Sequence, residues 1–144
     1  MPVRRLIEKG DLGLTAQLKT LLKPIVKSAS IPVGTGGAYG GEVKIEPDSG
    51  YDRIIPLGVR IVVGGTFATG ETVTVKVQFN LEDDTANILE LDFTATGEYV
   101  LSESDLEKLF KDAVGILSLS FQAKSSATST SVTVDVYVRG LEYY

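Results

Sequence analysis

The sequence predicts a mainly β protein, an antiparallel β-sandwich with an N-terminal amphipathic helix and one short inserted helix. Three observations carry that prediction. Val132, Val134, Val136 and Val138 alternate without a slip with Ser131, Thr133, Asp135, Tyr137 and Arg139. Because successive strand side chains point to opposite faces, this pattern puts four valines on one face and polar groups on the other. Residues 72–80 repeat it with Val73, Val75, Val77 and Phe79. Further short alternating runs, separated by Gly, Pro, Asp and Ser turn signals, follow one another from Val43 to the C-terminus.

Taken in order, Leu14, Leu18, Leu21, Leu22 and Ile25 recur at three- and four-residue spacing, so residues 13–23 or slightly more read as an amphipathic helix. Pro24 ends or kinks it, since proline cannot donate and disfavours helix in the residue before it. The leucine stripe must be covered, either by its own body or by a neighbouring molecule. From Ser28 the chain becomes small and polar, and five glycines within residues 34–41 read as a flexible connector. Its spacing is not that of a nucleotide loop: Tyr39 stands where a dinucleotide fingerprint starting at Gly34 needs glycine. Glu42 and Val43 stand where a phosphate loop needs Lys and Ser or Thr.

The strands then read as 42–46, 53–63 with interruptions at Pro56 and Gly58, 72–80, 89–93, 97–101, 117–122 and 131–139. Ser102 stands three residues before Asp105, just ahead of Leu106, Leu109 and Phe110, and this capping pattern starts a helix over about 103–113 that ends near Gly115. The expected organisation is a basic helical arm over 1–33, a glycine-rich connector over 34–41 and a sandwich over 42–144, with no second domain.

Composition narrows the chemistry. With 144 residues the chain is long enough for one core, and 43% apolar and 23% charged residues are globular values. No apolar run reaches the length of a membrane helix, and the charged first residues leave no room for a signal-peptide apolar region. Cysteine is absent, which excludes disulfides and thiolate chemistry, and the lack of histidine removes the commonest general base near pH 7 and the commonest metal ligand. Poverty in oxidisable and thermolabile residues suits a thermophilic source. The net charge of −5 is unevenly placed: residues 1–30 carry six basic groups against two acids, and the rest carry eight against seventeen. The basic groups Arg4, Arg5, Lys9, Lys19, Lys23 and Lys27 therefore form either the solvated face of a helix or a partner-binding arm.

Candidate sites are few. Glu82, Asp83 and Asp84 form an acidic hairpin tip that is a weak candidate for calcium, whose D-x-D-x-D-G pattern is missing. Glu90, Asp92 and Asp135 offer carboxylates for glycoside chemistry only in the sense that acids lie on strands, at outward positions. Ser125, Ser126 and Thr128 to Ser131 supply hydroxyls without a histidine base; a serine–lysine arrangement would have to use Lys124. Tyr137, Tyr143 and Tyr144, with Tyr51 and Tyr99, offer aromatic faces for a carbohydrate- or ligand-binding module. No catalytic residue and no cofactor are expected.

A basic helical segment (Arg4–Lys27), a glycine-rich run (Gly34–Gly41) and strands from Val43 to Arg139 together resemble single-domain viral and phage structural proteins. That resemblance implies a jelly-roll-like sandwich and an arm that ties neighbours together in a shell. It implies a non-enzymatic protein of the virion, assembled in the host cytoplasm, with copies of itself or other structural proteins as partners. Nucleic acid would be reached through the basic arm only, because phosphate binding rewards positive charge and the body is acidic; no membrane contact is expected. The expected contact residues are Leu14, Leu18, Leu21, Leu22, Ile25, Tyr143 and Tyr144.

Overall fold

A computed structural model describes residues 22–144. Among the described residues the strands are β1 (Lys23–Ile31), β2 (Val33–Gly34), β3 (Val43–Ile45), β4 (Arg53–Thr66), β5 (Val73–Asn80), β6 (Ala86–Phe93), β7 (Gly97–Val100), β8 (Ser118–Ser125) and β9 (Ser131–Tyr143), with one α-helix, α1 (Glu103–Phe110). One sheet has the order β1-β9-β4-β7; the other runs β2-β8-β5-β6, with β3 also on the outer edge of β8. Taking β3 as that edge, the strand orders β1-β9-β4-β7 and β3-β8-β5-β6 are those of a jelly roll, in which β5 and β6 form a hairpin within one sheet, an architecture that limits the free strand edges of an all-β chain.

The alternating apolar residues point between the sheets. Val132, Val134, Val136 and Val138 from β9 and Val59, Ile61 and Val63 from β4 meet Val73, Val75, Val77 and Phe79 from β5 and Leu119, Phe121 and Ala123 from β8. Helix α1 starts as expected: Asp105 N donates to Ser102 Oγ (3.1 Å), and Ser102 N donates back to the Asp105 carboxylate (3.0 Å). Its buried Leu109 and the edge-on contact of Phe110 with Phe79 (5.0 Å) close one end of the core.

The N-terminal boundary differs from the expected one. The sheet begins at Lys23, not near residue 42, and Ile25, expected in a helical stripe, lies in β1 and is buried in the core. The two chain signals around Pro24 explain this. Proline holds the preceding residue extended and is tolerated on an edge strand, which is where β1 lies. The expected helix over 13–23 otherwise falls outside the described residues.

Gly34 to Gly41 is also more than a spacer. Gly34 pairs in parallel with Lys124, and the amides of Gly36, Gly37 and Gly40 donate to the carbonyls of Ala127, Ser125 and Ala123 (2.7, 2.8 and 3.0 Å). A Cβ on Gly34 would stand 2.0 Å from the Ala38 carbonyl oxygen, so this glycine permits a close backbone approach. The interruptions in β4 are real and local: its pairing with β9 shifts register between Pro56 and Gly58, and Leu57 is pushed outward.

Candidate functional site

The positive charge at the end of the arm is spent within the body. Lys23 and Lys27, on β1, reach the Asp48 carboxylate at 2.9 and 2.7 Å, and Lys27 also donates to the Glu46 carbonyl (2.7 Å). Between them lies Glu142, whose side chain is completely buried. It sits there because β9 continues its inward alternation past the valines to Gly140 and Glu142. Its Oε2 accepts from the Asp48 amide (2.9 Å), and Lys23 Nζ stands 3.2 Å from Oε1, in ion-pair range without hydrogen-bond alignment. The hydrogen bond from Lys27, then that from Lys23, holds Asp48 well below the usual carboxylate range; Asp48 and then Glu142 raise Lys23. These two lysines of the expected electrostatic arm are thus ion-paired within the body. Arg4, Arg5, Lys9 and Lys19 lie outside the described residues, as do Leu14, Leu18 and Leu21.

The C-terminal tyrosines are likewise engaged in the body. Tyr143 is half-buried against Gly115, and the exposed Tyr144 stacks on Tyr51 at 4.9 Å with Lys23 Nζ 5.3 Å from the Tyr51 ring centre. A polar cleft of about 550 Å³ beside Tyr51 is lined by Lys44, Glu46, Asp52, Asn80 and Asp84 among others. With Tyr144 and Lys23 packed on its ring, Tyr51 offers this cleft little free aromatic face for a sugar. Tyr99 donates to Asp105 (2.5 Å), which raises the phenol and, with the Ser102 amide, lowers the carboxyl.

The acids do not converge. Glu82 pairs with Arg53, while Asp83 and Asp84 take left-handed backbone (φ 63° and 57°) in a single 3₁₀ turn. Among the described residues no three acidic side chains are grouped to hold a metal ion. Asp92 on β6 accepts from Thr74 and Asp135 on β9 accepts from Ser30, so these carboxylates belong to different sheets.

One polar cluster has no counterpart in the sequence reading. Glu71, buried at the turn into β5, accepts from Ser125 Oγ, Thr130 Oγ1 (2.6 Å) and the Ala68 amide (2.9 Å). These three bonds, in that order, lower its carboxyl. The hydroxyls of the Ser/Thr loop therefore anchor a carboxylate, while Lys124 Nζ lies over the ring of Tyr39 (4.6 Å). The turn sequence Ala68-Thr69-Gly70-Glu71 was the available signal, since a carboxylate can bond the amide three residues back.

Among the described residues, apolar surface is also left exposed. On the outer face of the β1-β9-β4-β7 sheet, Val26, Arg139 and Gly58 lie in one cross-strand row, and Tyr137, Arg60 and Val100 in the next. Gly58 has no side chain, which leaves a hollow of about 250 Å³ walled by Val26 (78% exposed), Val100 (56%) and Tyr137 (40%). Arg60 is held on its rim by Glu98 (2.8 Å) and lies 5.3 Å from the Tyr137 ring.

No protein-family model and no curated protein matches the sequence. Solved structures similar to this chain include chains from the following viruses. Desmodium yellow mottle tymovirus matches with a TM-score of 0.45 at 8% identity, covering 85% of this chain and 86% of that one. For turnip yellow mosaic virus the TM-score is 0.43 at 10% identity, covering 86% and 94%. For mud crab tombus-like virus it is 0.39 at 10% identity, covering 85% and 80%.

Proposed function

We propose that this protein is a non-enzymatic structural protein that self-associates, as a component of a virion shell. The observation that carries the reading is the apolar outer face around Gly58, where Val26, Val100 and Tyr137 stand in solvent on a body whose own core is already filled. Exposed apolar residues gathered round a hollow, with charged Arg60, Arg139 and Glu98 at the rim, have the layout of a protein contact. A second copy of the chain is the proposed partner on that face, and the leucine-lined segment before β1 supplies a further contact. Arg4, Arg5, Lys9 and Lys19 would meet an acidic neighbour or packaged nucleic acid.

Sedimentation of the full chain tests this. An assembly of several copies is expected, reduced to smaller species by Val26→Asp with Val100→Asp. A monomer at every concentration would overturn the reading. Binding on a glycan array that is lost with Tyr137→Ala would make the chain a carbohydrate module instead.

A further inference from the structure

We propose that the groove between α1 and the Pro56 bulge of β4 receives residues 14–21 of a second copy of this chain. This rests on the self-association reading above and names the surface that takes the leucine stripe.

The groove holds about 330 Å³ and is floored by Pro56, Leu106 and Phe110. Its lips, Leu57 (55% exposed) and Val114 (78%), are among the most exposed apolar side chains of the body. Leu57 is there because the bulge at Pro56 ejects it from the ladder. The occupant fits in length: the helix that the spacing of Leu14, Leu18 and Leu21 predicts would set them along about 10.5 Å, and the eight-residue α1 is about 12 Å long. It also fits in charge. Glu103 and Glu107, one turn apart on α1, line the groove with Lys111 as its one basic group. The occupant carries one charge, Lys19, and the residues ahead of it add Arg4, Arg5 and Lys9 against Glu8 and Asp11.

Chain connectivity favours a second copy. Lys23 is already paired opposite Glu142 in β1, and Leu22 is the last leucine of the stripe. Reaching its own groove would take the segment back across Pro24, Leu141 and Ile55, with Leu22 alone left for the turn, whereas connections between elements ordinarily use about 2–6 residues.

The chain has no cysteine, so introduced thiols report position without background. Full-length Leu18→Cys and Val114→Cys chains are mixed, oxidised and separated without reductant, with Ile88→Cys, exposed on β6 away from both surfaces, in place of Val114→Cys as a control. A mixed disulfide dimer is expected for Val114→Cys, several-fold above the control. Equal yields, or no mixed dimer while sedimentation still shows an assembly, would overturn the groove and leave self-association standing. In the Leu18→Cys/Val114→Cys double variant, a bond formed only within one chain would overturn docking onto a second copy. A monomer in sedimentation would remove both readings.

Discussion

At the scale of residues, the body is held by carboxylates whose partners are fully specified. Glu71 accepts three hydrogen bonds, and Asp48 accepts from two lysines. Both carboxyls are lowered by folding, so each adds stability above its ordinary value, near 4, and that contribution fades as pH falls through the lowered folded value. Melting temperature measured from pH 7 to pH 2 is expected to drop most below pH 4.5. Glu71→Gln is expected to melt lower than the parent at pH 7, with the gap closing in acid, where Glu71 itself becomes protonated. A pH-independent gap would mean that the three bonds do not depend on the charge. Lys27→Met is expected to lower the melting temperature as well, because it leaves buried Glu142 and Asp48 to Lys23 alone.

The strands were legible wherever period-two alternation ran over several residues, since one buried face is enough to impose it. Val132 to Val138 and Val73 to Phe79 lie where that pattern puts them. The helix at 103 was legible from Ser102 and Asp105, whose reciprocal bonds need only local geometry. β1 was not legible: Leu22 and Ile25 fit a helical stripe as well as a strand edge, and pairing with β9, more than a hundred residues away, decides between them. The glycine run reads as a spacer in the sequence for the same reason, because its hydrogen bonds go to Ala123, Ser125 and Ala127, far along the chain. The interaction surfaces were least legible, since Val26, Tyr137, Val100 and Gly58 meet only once the register is set. Two substitutions test these elements. Phe79→Ala, which empties the contact with Phe110, is expected to cost about 3–5 kcal/mol in denaturant unfolding. Gly34→Ala drives a methyl into the Ala38 carbonyl and is expected to cost more than about 1 kcal/mol; an unchanged midpoint would contradict the tight approach.

For the whole molecule, the acidic body and the basic first residues make any arm-to-body contact between copies sensitive to salt. The Debye length falls from about 10 Å at 0.1 M to about 3 Å at 1 M, so the exposed charge pairs should weaken over that range while apolar contacts persist. No helix among the described residues is long and apolar enough to cross a membrane. The proposed building-block role requires that the apolar outer face of the jelly roll take another copy. The most direct measurement is the solution mass of the purified full chain by sedimentation velocity across concentration. A species of several 15.4 kDa copies is expected, shrinking when Val26 and Val100 are made acidic. A single 15.4 kDa species throughout, unchanged by those substitutions, would contradict it.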